Sequence, residues 1–459
     1  MLSIPTTAGT SGRLGAGLLR LPVDDGAALA TPLTATPTLS VALSVAGVLL
    51  MVFIAAAAPN NHTLDAAMPL LHLPALSGPA STYLILAAIA AQGAGLIGML
   101  HAAGRGWQPA PRRLFGAGAV AAALLAAATP IGSADMASYA AYGRIASLGL
   151  DPYQFVPAQL GDRYAHLVSS SWTQTPSVYG PVATFVQRLA ADIGGDRVMA
   201  TIWVLMAANA AVYLVTGLIL VRAAADRSRA AILWAANPLL LGLLVGGGHL
   251  DTYVAFFAVC ATVLAARRQD WRGELLIGAL LGLACGVKIS AALLVVGLSW
   301  PLLSARRWDR LLPRALACLA TLALLYVPVG VHALAPLSDA SRLVSAPSMW
   351  QLVQLAGHTV IAPATATAVI SLAWPLVMLL AARFFLRRDT DAPRGEPVRN
   401  ANALAFGWNV AAPWCMPWYT AMTWPLMALL PRARTDYALV GLTLALTFAH
   451  NTGGHPWSW

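Results

Sequence analysis

Long apolar runs recur from Thr38 to His450, and most are separated by short loops in which arginines gather. The runs are apolar on every side instead of along one stripe. They therefore read as buried or membrane-spanning helices, not as the surface helices of a water-soluble domain. Spans are expected near Leu39–Ala58, Ser81–His101, Leu114–Ile131, Arg197–Val221, Ala230–Val245 and Leu250–Ala266, with others following down to Tyr437–His450. The stretch Leu275–Leu303 lies between two arginine-rich loops, so a hairpin of Leu275–Val287 and Ile289–Leu303 is the topologically consistent reading. The expected architecture is an all-α polytopic membrane protein with about eleven to thirteen transmembrane helices. Residues 133–196 form a helical outer loop within a single integral-membrane domain, 38–459. Residues 1–37, rich in Thr, Ser, Gly and Pro, are expected to be a flexible cytoplasmic tail.

Composition excludes the main alternative to this picture. Of 459 residues, 58% are hydrophobic and only 10% charged, against about 25% charged in an ordinary soluble domain. A water-soluble enzyme is ruled out. The net charge of +10 is not a nucleic-acid footprint, because the arginines sit in short loops between apolar runs, such as Arg105/Arg112/Arg113, Arg267/Arg268/Arg272 and Arg306/Arg307/Arg310/Arg314. By the positive-inside rule these loops are cytoplasmic. The tips at Gly246–Asp251, around Lys288 and at Pro413–Tyr419 then face outward together with the long loop. The four cysteines lie far apart in or beside apolar runs and read as buried small hydrophobes.

Candidate chemistry concentrates on that outward side. Asp135, Tyr139 and Tyr142 stand at i, i+4 and i+7 and share one helical face, although a helix start with interfacial tyrosines has the same spacing. Gly149-Leu-Asp151-Pro152-Tyr153 and Ser177-Val-Tyr179-Gly180-Pro181 are turn signals beside it. Gly246-Gly-Gly-His249-Leu-Asp251 is a glycine tip that lets backbone amides approach an anionic or sugar ligand, and a tight turn accounts for it equally well. His249 and Asp251 are too few for a defined metal site, so no cofactor is assigned and a divalent cation stays an open alternative. Lys288 is the only lysine in the chain. A lysine at the bilayer centre costs on the order of 3 kcal/mol, which favours the outer tip, where it can snorkel or hold a phosphate. Arg144 and Arg342 are the other outer cations with that option.

In the order DMASYAAYGRIASLGLDPY, SVYGP, NPLLLGLLVGGGHLD, GVKIS and PWCMPWY, from Asp135 to Tyr419, the chain resembles the polyprenol-phosphomannose-dependent α-1,6-mannosyltransferases of actinobacteria, members of the GT-C glycosyltransferases. The resemblance implies a GT-C-like helical enzyme of the cytoplasmic membrane with its active site on the outer face. It implies a polyprenyl-phosphate sugar donor, a mannan-type lipoglycan acceptor, membrane lipid around the spans and no nucleic acid. Carried to the matching position, Asp135 is the general base. Three spans precede it here, whereas many GT-C enzymes place this loop after their first. Transfer from a lipid phosphate also needs cations for the leaving group, for which Lys288, Arg144 and Arg342 are the candidates. Tyr139, Tyr142, Tyr179, Trp350 and Trp418 are expected to stack on sugars, with Asp151, His249 and Asp251 as further substrate contacts. A secondary transporter or lipid flippase is the alternative class. Such proteins place ionisable residues at the midplane of broken helices and often carry internal repeats, whereas here the acids cluster in one outer loop and no repeat is visible.

Overall fold

The apolar runs form helices at Pro37–Ala56, Gly78–Gly104, Pro111–Ala127 and Val198–Ala223, each within a few residues of its expected span. The first three carry proline in the first helical turn, where its missing N–H would be unpaired anyway. The computed structural model describes residues 36–340, 343–346, 348–360, 362–388 and 397–452. Residues 1–35 of the expected tail and Arg342 lie outside the described residues. Among the described residues there is no β-strand, only an isolated bridge between Thr63 and Ile131.

Among the described residues, five helices are long and apolar enough to cross a membrane alone: Pro37–Ala56, Gly78–Gly104, Val198–Ala223, Arg227–Gly246 and Ala364–Arg388. Trp308–Tyr326 and Val331–Leu337 pass only as a pair bent by 105°. The chain is a multi-pass membrane protein. Several further arms are shorter. Asp251–Arg267 and Trp271–Val287 have 17 residues each, about 25 Å at 1.5 Å per residue, so a count of eleven to thirteen crossings includes arms below a full hydrocarbon thickness. The expected break inside 275–303 is present. Lys288 is extended (φ −152°, ψ 128°) between the helices ending at Val287 and beginning at Ala292. Residues 133–196, expected to be an outer loop, are helical, with helices at Asp135–Ser147, Arg163–Leu167 and Pro181–Gly194.

The span Arg227–Gly246 is interrupted halfway by Asn237-Pro238. Proline removes a backbone donor, and the exposed backbone must be satisfied inside the protein because the bilayer core has no water. Asn237 does this: its Oδ1 accepts from the amides of Leu239 and Leu240 at 3.1 and 3.3 Å, and its Nδ2 donates to the Leu233 carbonyl at 3.0 Å. Small residues also bring the first two helices together, for a Cβ on Gly95 would lie 2.3 Å from Ser44 Oγ.

Arginine loops pair with one another in two groups. Ser228 Oγ donates to the Pro109 carbonyl at 2.9 Å, Arg432 lies 3.8 Å from Asp226, and Arg310 and Arg314 both pair with Glu274. Helices that leave these loops, such as Trp271–Val287 and Thr435–Thr452, end at Lys288 and near His450. Both of those residues line a cavity at the opposite end.

Candidate active site

Asp135 is the first residue of the Asp135–Ser147 helix, and its amide donates to Ser133 Oγ at 3.0 Å. The carboxylate therefore projects from a fixed helix start, with its side chain 27% exposed. One turn on, Tyr139 Oη donates to Asp135 Oδ2 at 3.3 Å, so two of the three residues predicted to share a face do interact. Tyr142 turns instead toward the loop and donates to the Thr175 carbonyl at 2.9 Å. Tyr179 packs edge-on to Tyr139 with ring centroids 5.0 Å apart. Burial, followed by the charge of Asp135, pushes the Tyr179 hydroxyl well up, which keeps it neutral.

The cavity in front of Asp135 has a volume of about 420 Å³. Lys288 lines it from the helix break, and Tyr142, Tyr179 and Trp418 also border it. A second lobe of about 440 Å³, bordered by Asn61, Ser345 and Asn451, shares Gly132–Ala134, Ser171, Trp414, Met416 and His450 with the first. Two glycines make this arrangement possible. Gly180 donates its amide to the Val287 carbonyl at 3.0 Å, and a Cβ on it would sit 2.2 Å from the Gly286 carbonyl oxygen, so only glycine lets the Tyr179 loop lie against the break at Lys288. Gly248 has φ +69°, and a Cβ there would lie 2.1 Å from Met136 Cε, beside Asp135.

Lys288 Nζ donates to both oxygens of Asp251 at 3.1 Å and stands 3.6 Å from the Tyr419 ring centroid. The pair is locally neutral, and two of the three ammonium N–H bonds are used. His249 is buried and stacked on Trp418, with centroids 3.8 Å apart and planes 9° from parallel. Its Nδ1 lies 3.4 Å from Asp135 Oδ2, out of alignment for a formed hydrogen bond, and has no other partner. Burial of Asp135 works against its charge, but His249 and the charge of Lys288 outweigh that and hold the carboxyl below the usual carboxylate range.

Other predicted residues sit elsewhere. Arg144 is paired with Asp196 and lies over the Tyr164 ring, and it does not line the cavity. Asp151 caps its own turn through the Tyr153 amide at 2.9 Å and meets His332 Nε2 at 2.6 Å. Trp350 is buried and donates its indole N–H to the Ala411 carbonyl at 2.6 Å. The glycine tip does not offer its amides to a ligand, because those of Gly247, Gly248 and His249 donate to the carbonyls of Gly242, Val245 and Leu244. Sequence reasoning passed over His450, whose Nε2 donates to the Gly132 carbonyl at 2.8 Å, and Tyr419 beneath Lys288. The signal for Tyr419 was its place in PWCMPWY; for His450 it was one polar residue ending an apolar run. No cluster of three His, Cys, Asp or Glu side chains suited to a metal occurs among the described residues.

Residues 39–304 match the MptA_B family model, described as the N-terminal domain of alpha-(1->6)-mannopyranosyltransferase. The chain belongs to this family. An α-(1→6)-mannopyranosyltransferase of Mycobacterium tuberculosis is 31% identical over 150 residues, 31% of this chain and 25% of the relative. α-(1→6)-Mannopyranosyltransferase B of Corynebacterium glutamicum is 31% identical over 167 residues, 35% of this chain and 27% of the relative. α-(1→6)-Mannopyranosyltransferase A of Mycobacterium tuberculosis is 29% identical over 212 residues, 44% and 39% of the two chains. The aligned stretches thus span between a quarter and two fifths of these relatives' lengths. No solved structure matches the chain. Within the family match fall Asp135, His249 and Lys288, whereas Trp418, Tyr419 and His450 close the same site from beyond it.

Proposed function

We propose that the chain is a polyprenyl-phosphate-sugar-dependent mannosyltransferase that forms α-1,6 linkages on a mannan-type lipoglycan, at the outer face of the cytoplasmic membrane. The observation that carries this reading is the joint presence of Asp135 and Lys288 on the wall of one cavity. The names of the relatives support mannose and the α-1,6 linkage. The arginine loops at the far ends of helices that reach the cavity support an outward-facing site by the positive-inside rule.

Asp135 Oδ1 takes the proton of the acceptor 6-hydroxyl while that oxygen attacks the anomeric carbon from the side opposite the phosphate. The bond from that carbon to the phosphate oxygen breaks, and the lipid monophosphate leaves with one more negative charge. The third N–H of Lys288 donates to it. Attack from the opposite face inverts the centre, so an α product requires a β-linked donor. Asp135 then returns its proton to water. The two lobes meeting at Gly132–Ala134 suit two substrates, with the Lys288 side for the donor and the side of Asn61, Ser345 and Asn451, rich in neutral hydrogen-bonding groups, for a sugar acceptor. Tyr179 and Trp418 offer ring faces or edges to the sugars.

The test uses the purified chain in lipid nanodiscs with labelled polyprenyl phosphomannose or labelled GDP-mannose and a short α-1,6-mannoside. Label is expected in a lengthened, α-1,6-mannosidase-sensitive product from the lipid donor alone. Translocation of the labelled lipid without a new glycosidic bond would overturn the reading in favour of a flippase.

A further inference from the structure

His249 lies against the carboxylate of Asp135. Its ring is buried with one face covered by Trp418, and its Nδ1 faces Asp135 Oδ2 at 3.4 Å with no other partner. An unpaired buried ring nitrogen is costly, and a fold keeps one mainly where it acts. The backbone holds the two side chains together: the His249 amide donates to the Leu244 carbonyl at 3.1 Å, and Gly248 packs directly on Met136, the neighbour of Asp135. A carboxylate only accepts hydrogen bonds, so the contact is attractive only when Nδ1 carries the ring proton. The opposite tautomer would set two lone pairs against each other.

We propose that His249 is the positioning residue for Asp135: its Nδ1–H binds Oδ2 and so presents Oδ1 to the acceptor hydroxyl. The inference rests on the reading of Asp135 as the base. Tyr139 Oη also addresses Oδ2, at 3.3 Å, so both donors fall on the same oxygen and leave the other for the proton. Contacts of this length tighten when substrate closes around a catalytic group. Trp418 borders the cavity and stacks on His249, so a sugar packed against Trp418 is in contact, through one ring, with the imidazole that addresses the carboxylate. His249 keeps its proton throughout and touches no substrate.

Two substitutions separate this role from packing. His249→Phe keeps a flat ring against Trp418 and loses the donor, whereas His249→Asn loses the ring and keeps an amide N–H near the position of Nδ1. His249→Phe is expected to lower kcat about 100-fold, the scale of a misplaced catalytic group, with KM for donor and acceptor unchanged. His249→Asn is expected to stay within about tenfold of the parent. The titratable groups close enough to feel or act on the charge of Asp135 are Tyr139 and Tyr142 on its own helix, Tyr179, His249, Lys288 and Tyr419. The acid limb of kcat should therefore move up in pH in the Phe variant and stay in place in the Asn variant, a readout that loss of packing alone would not move.

Folding is checked by thermal unfolding in detergent. Should the Phe variant not fold, His249→Gln replaces it, since its longer side chain carries the amide past the Nδ1 position; it should lose activity where Asn does not. Equal activity of the Asn variant and either partner, with unmoved acid limbs, overturns the inference. Asp135→Asn is assayed alongside. If that variant turns over normally, the reading of the base has failed; if it is inactive while His249→Phe behaves as the parent, only the role of His249 has failed.

Discussion

The two ends of the helix bundle use the same residue types in opposite ways. At the arginine-loop end, Arg229 is 1% exposed and four of its five guanidinium N–H donors are used, with Nε and Nη2 on Asp436, Nη1 on the Leu430 carbonyl and Nη2 also on the Met427 carbonyl. Glu274, fully buried, takes both Arg310 and Arg314, and Arg314 adds a 2.6 Å bond to the Leu298 carbonyl. At the cavity end the charges are left with capacity to spare. The Asp135 carboxylate is met by Tyr139 at 3.3 Å and His249 at 3.4 Å, both long contacts, His249 Nδ1 is unpaired, and Lys288, over the Tyr419 ring, has one N–H not spent on Asp251. Heavily paired buried charge locks helices together, whereas charge with capacity to spare beside a cavity is available for a reaction.

The sharpest way to break this contrast is to damage the locked end. Arg229→Met leaves Asp436 buried without its partner and should cost about 3–5 kcal/mol of stability. Transfer per folded molecule should be unchanged, as compared by thermal unfolding and activity normalised to folded protein. Lys288→Met acts on both properties. It should raise the donor KM about 10–100-fold, the worth of a hydrogen bond to a charged group, leave the acceptor KM alone, and destabilise through the orphaned Asp251. Adding Asp251→Asn should recover the stability and not the donor affinity; recovery of both would reduce Lys288 to a structural lysine. Tyr142→Phe removes the bond to the Thr175 carbonyl and should cost about 1 kcal/mol with little change in turnover.

The smallest effect expected is that of pH. The Asp135 carboxyl is held below its ordinary value, so the stabilisation tied to its charge is complete above the unfolded carboxylate value, about pH 4. It is lost only as pH falls through the lower folded value. The acid limb of kcat assigned to Asp135 should accordingly lie below about pH 4. An acid limb near neutrality that persists in His249→Asn and shifts when Asp135 becomes Glu would contradict this.

Much of the fold was legible because each span is a local property of hydropathy. The Asn237-Pro238 interruption was invisible in that signal, since Asn237 heals the break with its own side chain and the run stays apolar around it. In the site, Asp135 and Lys288 could be singled out from loop position and rarity. Their surroundings could not, because they depend on pairings across long sequence separations. Arg144 looked like a free outer cation until Asp196, 52 positions on, occupied it. Asp251 and Lys288, 37 apart, both read as ligand contacts and in fact bind each other. Trp350 shows the same limit, for its indole is spent on the Ala411 carbonyl in the interior.

The central claim is tested most directly by single-turnover transfer with folded Asp135→Asn protein, labelled polyprenyl phosphomannose bound at saturation and acceptor added in excess. The account predicts donor binding close to that of the parent and a transfer step slowed by about 100- to 10,000-fold, the usual range for loss of a general base. Transfer at the parental rate would contradict it.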